Sequence, residues 1–196
     1  MSKIRAAVTA VEGYVPDYIL TNDELSRMVD TNDEWIMTRI GIKERRILKG
    51  EKGPSDMAEI VVKRILEKKN LSPDSIELVI CCTVTPDMVF PATANIIAHK
   101  CGIKNGFGFD VNAGCSGFLY GLTTASKYIE SGFVKRALVI GAEKMSAIVN
   151  YEDRATCPIF GDGAAGVLLE ATEEPYGLMD EILCRSEERR VGKECE

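Results

Sequence analysis

The sequence predicts an α/β fold in which helices pack on the faces of a mostly parallel sheet. Three observations carry that expectation. Leu78 to Val84 and Arg136 to Ala142 are apolar runs of strand length, as strands buried on both faces require. After Ser55, the residues Ala58, Val61, Val62, Ile65 and Leu66 recur at helical spacing, with Lys63, Arg64, Glu67 and Lys68 on the opposite face. Strand and helix patterns alternate along the chain, which is the mark of such a sheet.

The elements follow in order. Lys3 to Val11 is a first strand. Thr21-Asn22-Asp23-Glu24 has the form of a capping box, with Leu20 and Leu25 as its hydrophobic staple, and opens a short helix through Met28. Thr31-Asn32-Asp33-Glu34 repeats the box and puts Trp35 on the first turn of a second helix. Lys43 to Leu48 is a strand and Gly50 to Gly53 a loop. Ser55 caps the long amphipathic helix, and Leu78 to Val84 follows as a strand. Ala92 to Lys100 is a helix entered through Pro91. Phe107 to Val111 is a strand, Ser116 to Ser131 a helix, Arg136 to Ala142 a strand, and Gly163 to Ala171 the last one.

Composition narrows the class. The 196 residues suffice for one domain with a real core, and the net charge of -6 argues against nucleic acid as a partner. No apolar stretch is long enough to span a membrane, and the first residues lack a signal-peptide core. The seven cysteines form no Cys-x-x-Cys pair, and the one histidine, His99, does not stand at ligand spacing from them. A structural metal and a disulfide framework are therefore not expected, and a reducing cytoplasm is the simplest setting.

The chemistry gathers at Cys115, in Asn112-Ala113-Gly114-Cys115-Ser116-Gly117-Phe118. A thiol between a strand and a helix N-terminus meets backbone N–H groups that favour the thiolate. Gly114 and Gly117 let the backbone turn and a substrate approach. The helix that follows is apolar around most of its circumference, so one sheet covers only one of its sides. Its Gly117 and Gly121 would admit another helix closely. Gly161-Asp162-Gly163-Ala164-Ala165-Gly166 has the letters of a dinucleotide fingerprint but not its strand-turn-helix setting, so a glycine-rich turn is expected there. Cys81 and Cys82 point to opposite faces of a strand and form no redox pair. Lys43, Arg45 and Arg46 are expected to form a solvated basic edge or, as the alternative, to attract phosphate groups.

After Cys184 the composition changes. Residues 185–196 are mostly charged and lack any period. Arg185 to Cys195 resembles the in-frame translation of a sequencing adapter, so residues 1–184 are expected to be an incomplete domain and 185–196 a non-native tail.

From Lys3 to about Leu183 the residues resemble a known family. Thr31-Asn32-Asp33-Glu34-Trp35-Ile36 with Thr38-Arg39-Ile40-Gly41-Ile42, then Phe90-Pro91-Ala92, Asp110 to Phe118, and Phe160-Gly161-Asp162-Gly163-Ala164 stand in family order. They are similar to the N-terminal half of β-ketoacyl-acyl-carrier-protein synthase III, a thiolase-fold condensing enzyme. The resemblance implies a thiolase-like, layered αβαβα architecture, of which this chain holds the first half with a mixed, mostly parallel sheet.

It also implies roles. Cys115 takes an acyl group from a short acyl-CoA for decarboxylative condensation with malonyl-acyl-carrier protein. Trp35 and Arg154 sandwich the adenine of coenzyme A, with Arg39 beside them. Phe90, Met145 and Phe160 line the acyl pocket or a contact in a homodimer. No metal or redox cofactor is needed, because coenzyme A enters as a thioester substrate. The family's catalytic His and Asn belong to the second half; His99 falls in no motif. Two alternatives stay open: another thiolase-fold enzyme, similar to hydroxymethylglutaryl-CoA synthase or to a specialised ketosynthase, or a non-catalytic thiol-bearing binding module.

Overall fold

A computed structural model describes residues 4–183. The expectation of a non-native tail at 185–196, with its boundary at Cys184, lies outside the described residues.

Twelve strands and helices follow one another: β1 (Arg5–Tyr14), β2 (Tyr18–Thr21), α1 (Asn22–Leu25), α2 (Asp33–Arg39), β3 (Glu44–Ile47), α3 (Pro54–Lys69), β4 (Leu78–Cys82), α4 (Thr93–Lys100), β5 (Phe107–Val111), α5 (Gly117–Glu130), β6 (Arg136–Lys144) and β7 (Asp162–Thr172). Five strands form one sheet in the order β1-β7-β6-β4-β5. β4 pairs in parallel with β5 and β6, and β7 pairs antiparallel with β6 and β1. Four strands thus run one way and β7 runs against them, a mixed but mostly parallel sheet. β2 and β3 form a separate antiparallel ribbon. β2 has no counterpart in the sequence expectations, since four residues carry too little alternation to be seen.

Layering follows from burial. All five residues of β4 are buried, as a strand covered on both faces must be. Cys81 belongs to the core under α3 and α4, Cys82 to the core under α5, so the two thiols do face apart. α3 buries Met57, Val61, Val62 and Ile65 completely. Each such side chain stabilises the fold by about 1.5–3 kcal/mol. α3 ends at Asn70, whose left-handed φ of 51° closes the helix.

Several local expectations are corrected. Gly53, not Ser55, is the cap of α3: Pro54 fills the first helical position, and the Asp56 carboxylate accepts from the Gly53 N–H at 2.8 Å. Ser55 lies inside the first turn and donates its Oγ–H to Asp87 at 2.7 Å. Asn32, not Thr31, caps α2, its Oδ1 accepting from the Trp35 N–H at 2.8 Å. Gly161 to Gly166 is no turn; from Asp162 onward it is strand β7. Gly117 and Gly121 face the sheet rather than another helix, against Cys82 and Val111 and against Cys82, Val139 and Ile80 respectively. Arg45 is not a solvated edge but is 4% exposed.

Other expectations hold. Thr21 caps α1, accepting from the Glu24 N–H at 3.2 Å, and Leu20 and Leu25 are buried together in a small core beside the ribbon. α4 starts at Thr93, just after Pro91. Asp110 on β5 caps it across the fold, accepting from the Thr93 and Ala94 N–H groups at 2.7 and 2.8 Å. On α5 the side toward the sheet is buried, while Leu119 on the other is 56% exposed.

Candidate active site

Sheet direction brings the candidate residues to one end. β4, β5 and β6 are parallel, so their carboxyl ends share an edge, at Cys82, Val111 and beyond Gly141. β7 runs oppositely and starts at that edge, with Asp162 opposite Lys144. Phe90 therefore follows the end of β4, Cys115 the end of β5 and Met145 the end of β6, and Phe160 precedes β7. Ligands of open α/β sheets lie at such an edge.

Cys115 sits in a single 3-10 turn, Gly114–Ser116, between β5 and α5. Gly114 has φ 52°, a left-handed value that other residues rarely adopt, so the expected sharp turn is present. Gly117 is helical and buried, packed against Cys82 and Val111. Five cysteines lie among the described residues. Cys115 is the exposed one; Cys81, Cys82, Cys101 and Cys157 are buried. Burial pushes the Cys81 thiol well above its ordinary value, Cys82 up to about 12 and Cys101 up to about 11. Those three are held as neutral thiols and act as small hydrophobes.

Two carboxylates shape the loops at this edge. Glu143, at the end of β6, accepts from the Val84 and Thr85 N–H groups at 2.8 and 3.1 Å and from both Thr83 and Thr85 hydroxyls. It fixes the start of the loop that leads to Phe90, which is 85% exposed. Asp162 is buried and accepts from Leu48 N–H at 2.7 Å and from Ser146 N–H and Oγ–H at 2.8 and 2.6 Å. It ties the turn that opens with half-buried Met145 to the strand start after Phe160. Neither acid was singled out from the sequence. A charged residue closing an apolar strand, as Glu143 does after Ala142, was the available signal.

A second cluster is built on α2. The Arg154 guanidinium lies 5.1 Å from the centre of the Trp35 ring and that of Arg39 5.5 Å from it. The three residues named from the sequence are thus together. Arg154 is anchored by the Asp30 carbonyl at 3.3 Å and its exposed carboxylate at 3.8 Å. A surface cavity of about 300 Å³ lined by Asn32, Glu34, Trp35, Thr38 and Arg39 adjoins the ring. His99 is exposed on α4. Among the described residues no group of three or more His, Cys, Asp or Glu side chains is placed to hold a metal ion, and no helix is long and apolar enough to cross a membrane.

A mixed five-stranded sheet with β7 reversed, α5 on one face, α3 and α4 on the other, and an exposed thiol where β5 gives way to α5 make up a thiolase-like α/β module. Comparison with known proteins agrees. Residues 109–185 match the family model 3-oxoacyl-[acyl-carrier-protein] synthase III. A β-ketoacyl-[acyl-carrier-protein] synthase III of Phocaeicola vulgatus is 59% identical over 184 residues, covering 93% of this chain and 55% of that protein. The crystal structure of 3-oxoacyl-[acyl-carrier-protein] synthase III from Aquifex aeolicus VF5 superposes with a TM-score of 0.83 at 46% identity, covering 86% of this chain and 55% of that one. A priming β-ketosynthase from the R1128 polyketide biosynthetic pathway gives a TM-score of 0.83 at 34% identity, covering 87% of this chain and 51% of that one. The chain is similar to β-ketoacyl-acyl-carrier-protein synthase III proteins and spans about half the length of the curated relatives it matches.

Proposed function

We propose that this chain is the nucleophile-bearing half of an acyltransferase that starts fatty-acid synthesis. The observation that carries the proposal is the exposed Cys115 thiol, set on a tight turn at the carboxyl edge of the sheet while its described neighbours in type are buried. The Cys115 thiolate attacks the carbonyl carbon of a short acyl-CoA such as acetyl-CoA. Coenzyme A leaves as the thiolate and acyl-Cys115 remains. Malonyl-acyl-carrier protein then loses carbon dioxide, and its enolate attacks the acyl carbon and releases Cys115. The Cys115 N–H is one oxyanion donor for both tetrahedral states.

Trp35 and Arg154 grip the adenine of coenzyme A, with Arg39 at the side. Arg154 lies over the Trp35 ring, 5.1 Å from its centre. The exposed contacts to Asp30 are weak enough to be exchanged for a stacked base. Phe90, Met145 and Phe160 line the acyl pocket or a contact in a homodimer. The reagents are thioesters, so the chemistry calls for no metal or redox cofactor, and cytoplasmic pools of coenzyme A are its setting. Residues 1–184 are the first half of such an enzyme, 185–196 a non-native tail, and the second half supplies the His and Asn of the condensation step. A ketosynthase that primes a specialised pathway is the second reading, favoured by the likeness to the R1128 enzyme.

The test joins residues 1–184 to the downstream reading frame of the natural gene and assays condensation of acetyl-CoA with malonyl-acyl-carrier protein. The extended protein is expected to turn over, its Cys115→Ala variant to be inactive, and the 196-residue chain not to condense. Undiminished turnover in Cys115→Ala would contradict the proposal.

A further inference from the structure

Arg45 belongs to no step of the proposed chemistry, yet it is the buried cation of the ribbon. It stands opposite Leu20 in the β2–β3 register and is 4% exposed. No carboxylate among the described residues pairs with it. One terminal nitrogen donates to the Leu20 carbonyl at 3.2 Å, the other to Asn22 Oδ1 at 2.6 Å, and its Nε–H has no partner. Burying a guanidinium on such terms is costly, and an apolar side chain would fill the same space without that cost.

The hydrogen bonds lead to the Trp35 cluster. Asn22 passes the connection on, donating its amide to Asp33 Oδ1 at 2.7 Å and to the Ile42 carbonyl at 3.0 Å. Asp33 is the first residue of α2, which carries Trp35 and Arg39. On the other side lies the segment that carries Arg154. Cys157 of that segment is buried with Leu20, Leu25, Ile36 and Ile47, with Trp35 and Tyr151 packed against them. Burial lowers the Arg45 guanidinium from its ordinary value, with the Cys157 thiol and the Tyr151 phenol near enough to offset part of that. Gly161 closes over it: a Cβ there would lie 3.1 Å from the Arg45 Cβ and 3.0 Å from the Arg46 carbonyl. One buried side chain is therefore bonded to Asn22, which holds the start of α2, and lies against Gly161, just past the segment that carries Arg154.

We propose that Arg45 is a positioning residue that sets the spacing of Trp35 and Arg154, and through it the affinity of the chain for the nucleotide end of coenzyme A. The inference rests on the reading of that pair as a nucleotide clamp.

Trp35 is the one tryptophan of the chain, so its emission reports on this site alone. Coenzyme A is titrated into the full chain while that emission is followed, for wild type, Arg45→Met and Asn22→Asp. Arg45→Met removes both hydrogen bonds. Asn22→Asp keeps an acceptor for Arg45 but loses the amide donor to Asp33, so it cuts the connection while leaving the guanidinium paired. Coenzyme A is expected to quench wild type to saturation, and both variants to need about tenfold more, as small misplacements of a binding pair do. Asn22→Asp should do so with an unfolding midpoint no lower than that of wild type. Adenosine 3′,5′-bisphosphate, which lacks the pantetheine arm, should show the same loss. Half-saturation close to that of wild type in both variants overturns the inference, as does a loss in Asn22→Asp that only tracks the fraction unfolded. Absence of quenching in wild type overturns the clamp reading itself. Arg45 is then judged on the emission maximum of the unliganded chain, which must shift in both variants and whose constancy overturns its positioning role.

Discussion

The sulfur of Cys82 occupies the space that a side chain on Gly121 would need. A Cβ on Gly121 would lie 2.5 Å from Cys82 Sγ, 3.2 Å from Val139 Cγ1 and 3.3 Å from Ile80 Cγ2. The contact lets α5 settle on β4 and β6, and so sets the height of the turn that holds Cys115. Gly121→Ala is expected to destabilise the chain by about 1–3 kcal/mol through overpacking. Adding Cys82→Ala should return part of that loss. Urea unfolding of the single and double variants measures both, and an unchanged midpoint in Gly121→Ala would mean that α5 has room to spare.

Acid sensitivity has an identifiable source at Glu170 on β7. Burial pushes its carboxyl up, but hydrogen bonds from Thr9, Arg136 and Lys69 outweigh that and hold it down to about 2. The folded value lies below the unfolded one, about 4.3 for glutamate. The group therefore stabilises the fold above that pH, and its contribution is lost as pH falls toward 2. Glu170→Gln should lower stability at pH 7 by about 1–2 kcal/mol and converge with wild type near pH 2. Chemical unfolding across pH 2–7 checks this; parallel curves would contradict it.

Trp35→Ala separates binding of the nucleotide from the acyl step. Acyl transfer from acetyl-CoA to Cys115 should weaken by about 1–2 kcal/mol, the scale of base–aromatic stacking. Transfer from the acetyl thioester of N-acetylcysteamine, which has no nucleotide, should be nearly unchanged. Equal losses with both donors would make Trp35 a packing residue.

What could be read from the sequence was local. The periodic apolar residues of α3 and the apolar run of β4 announce themselves because each pattern is complete within one element. The Cys115 turn was legible for the same reason: strand, glycine, thiol and helix are contiguous. Caps were misplaced by one or two residues, since Thr31 and Asn32 are both good caps and only the fold chooses Asn32. Contacts between distant residues were not legible. Nothing local says that Asp110 caps α4, that Gly121 yields to Cys82, or that Arg45 is buried while Arg46 is only half-buried. Gly166 lies inside β7, within the strand expected from Gly163, but nothing local says that a Cβ there would stand 3.2 Å from both Ile140 Cγ1 and Val61 Cγ1.

Cys115 is the proposed acyl acceptor, and the site of acylation decides that role. The 196-residue chain is incubated with acetyl-CoA, digested, and its cysteine peptides examined by mass spectrometry beside those of Cys115→Ala. An acetyl thioester is expected on the Cys115 peptide, none on those of Cys81, Cys82 or Cys101, and none in the variant. An acetyl group on another cysteine, or equal labelling of Cys115→Ala, would contradict it.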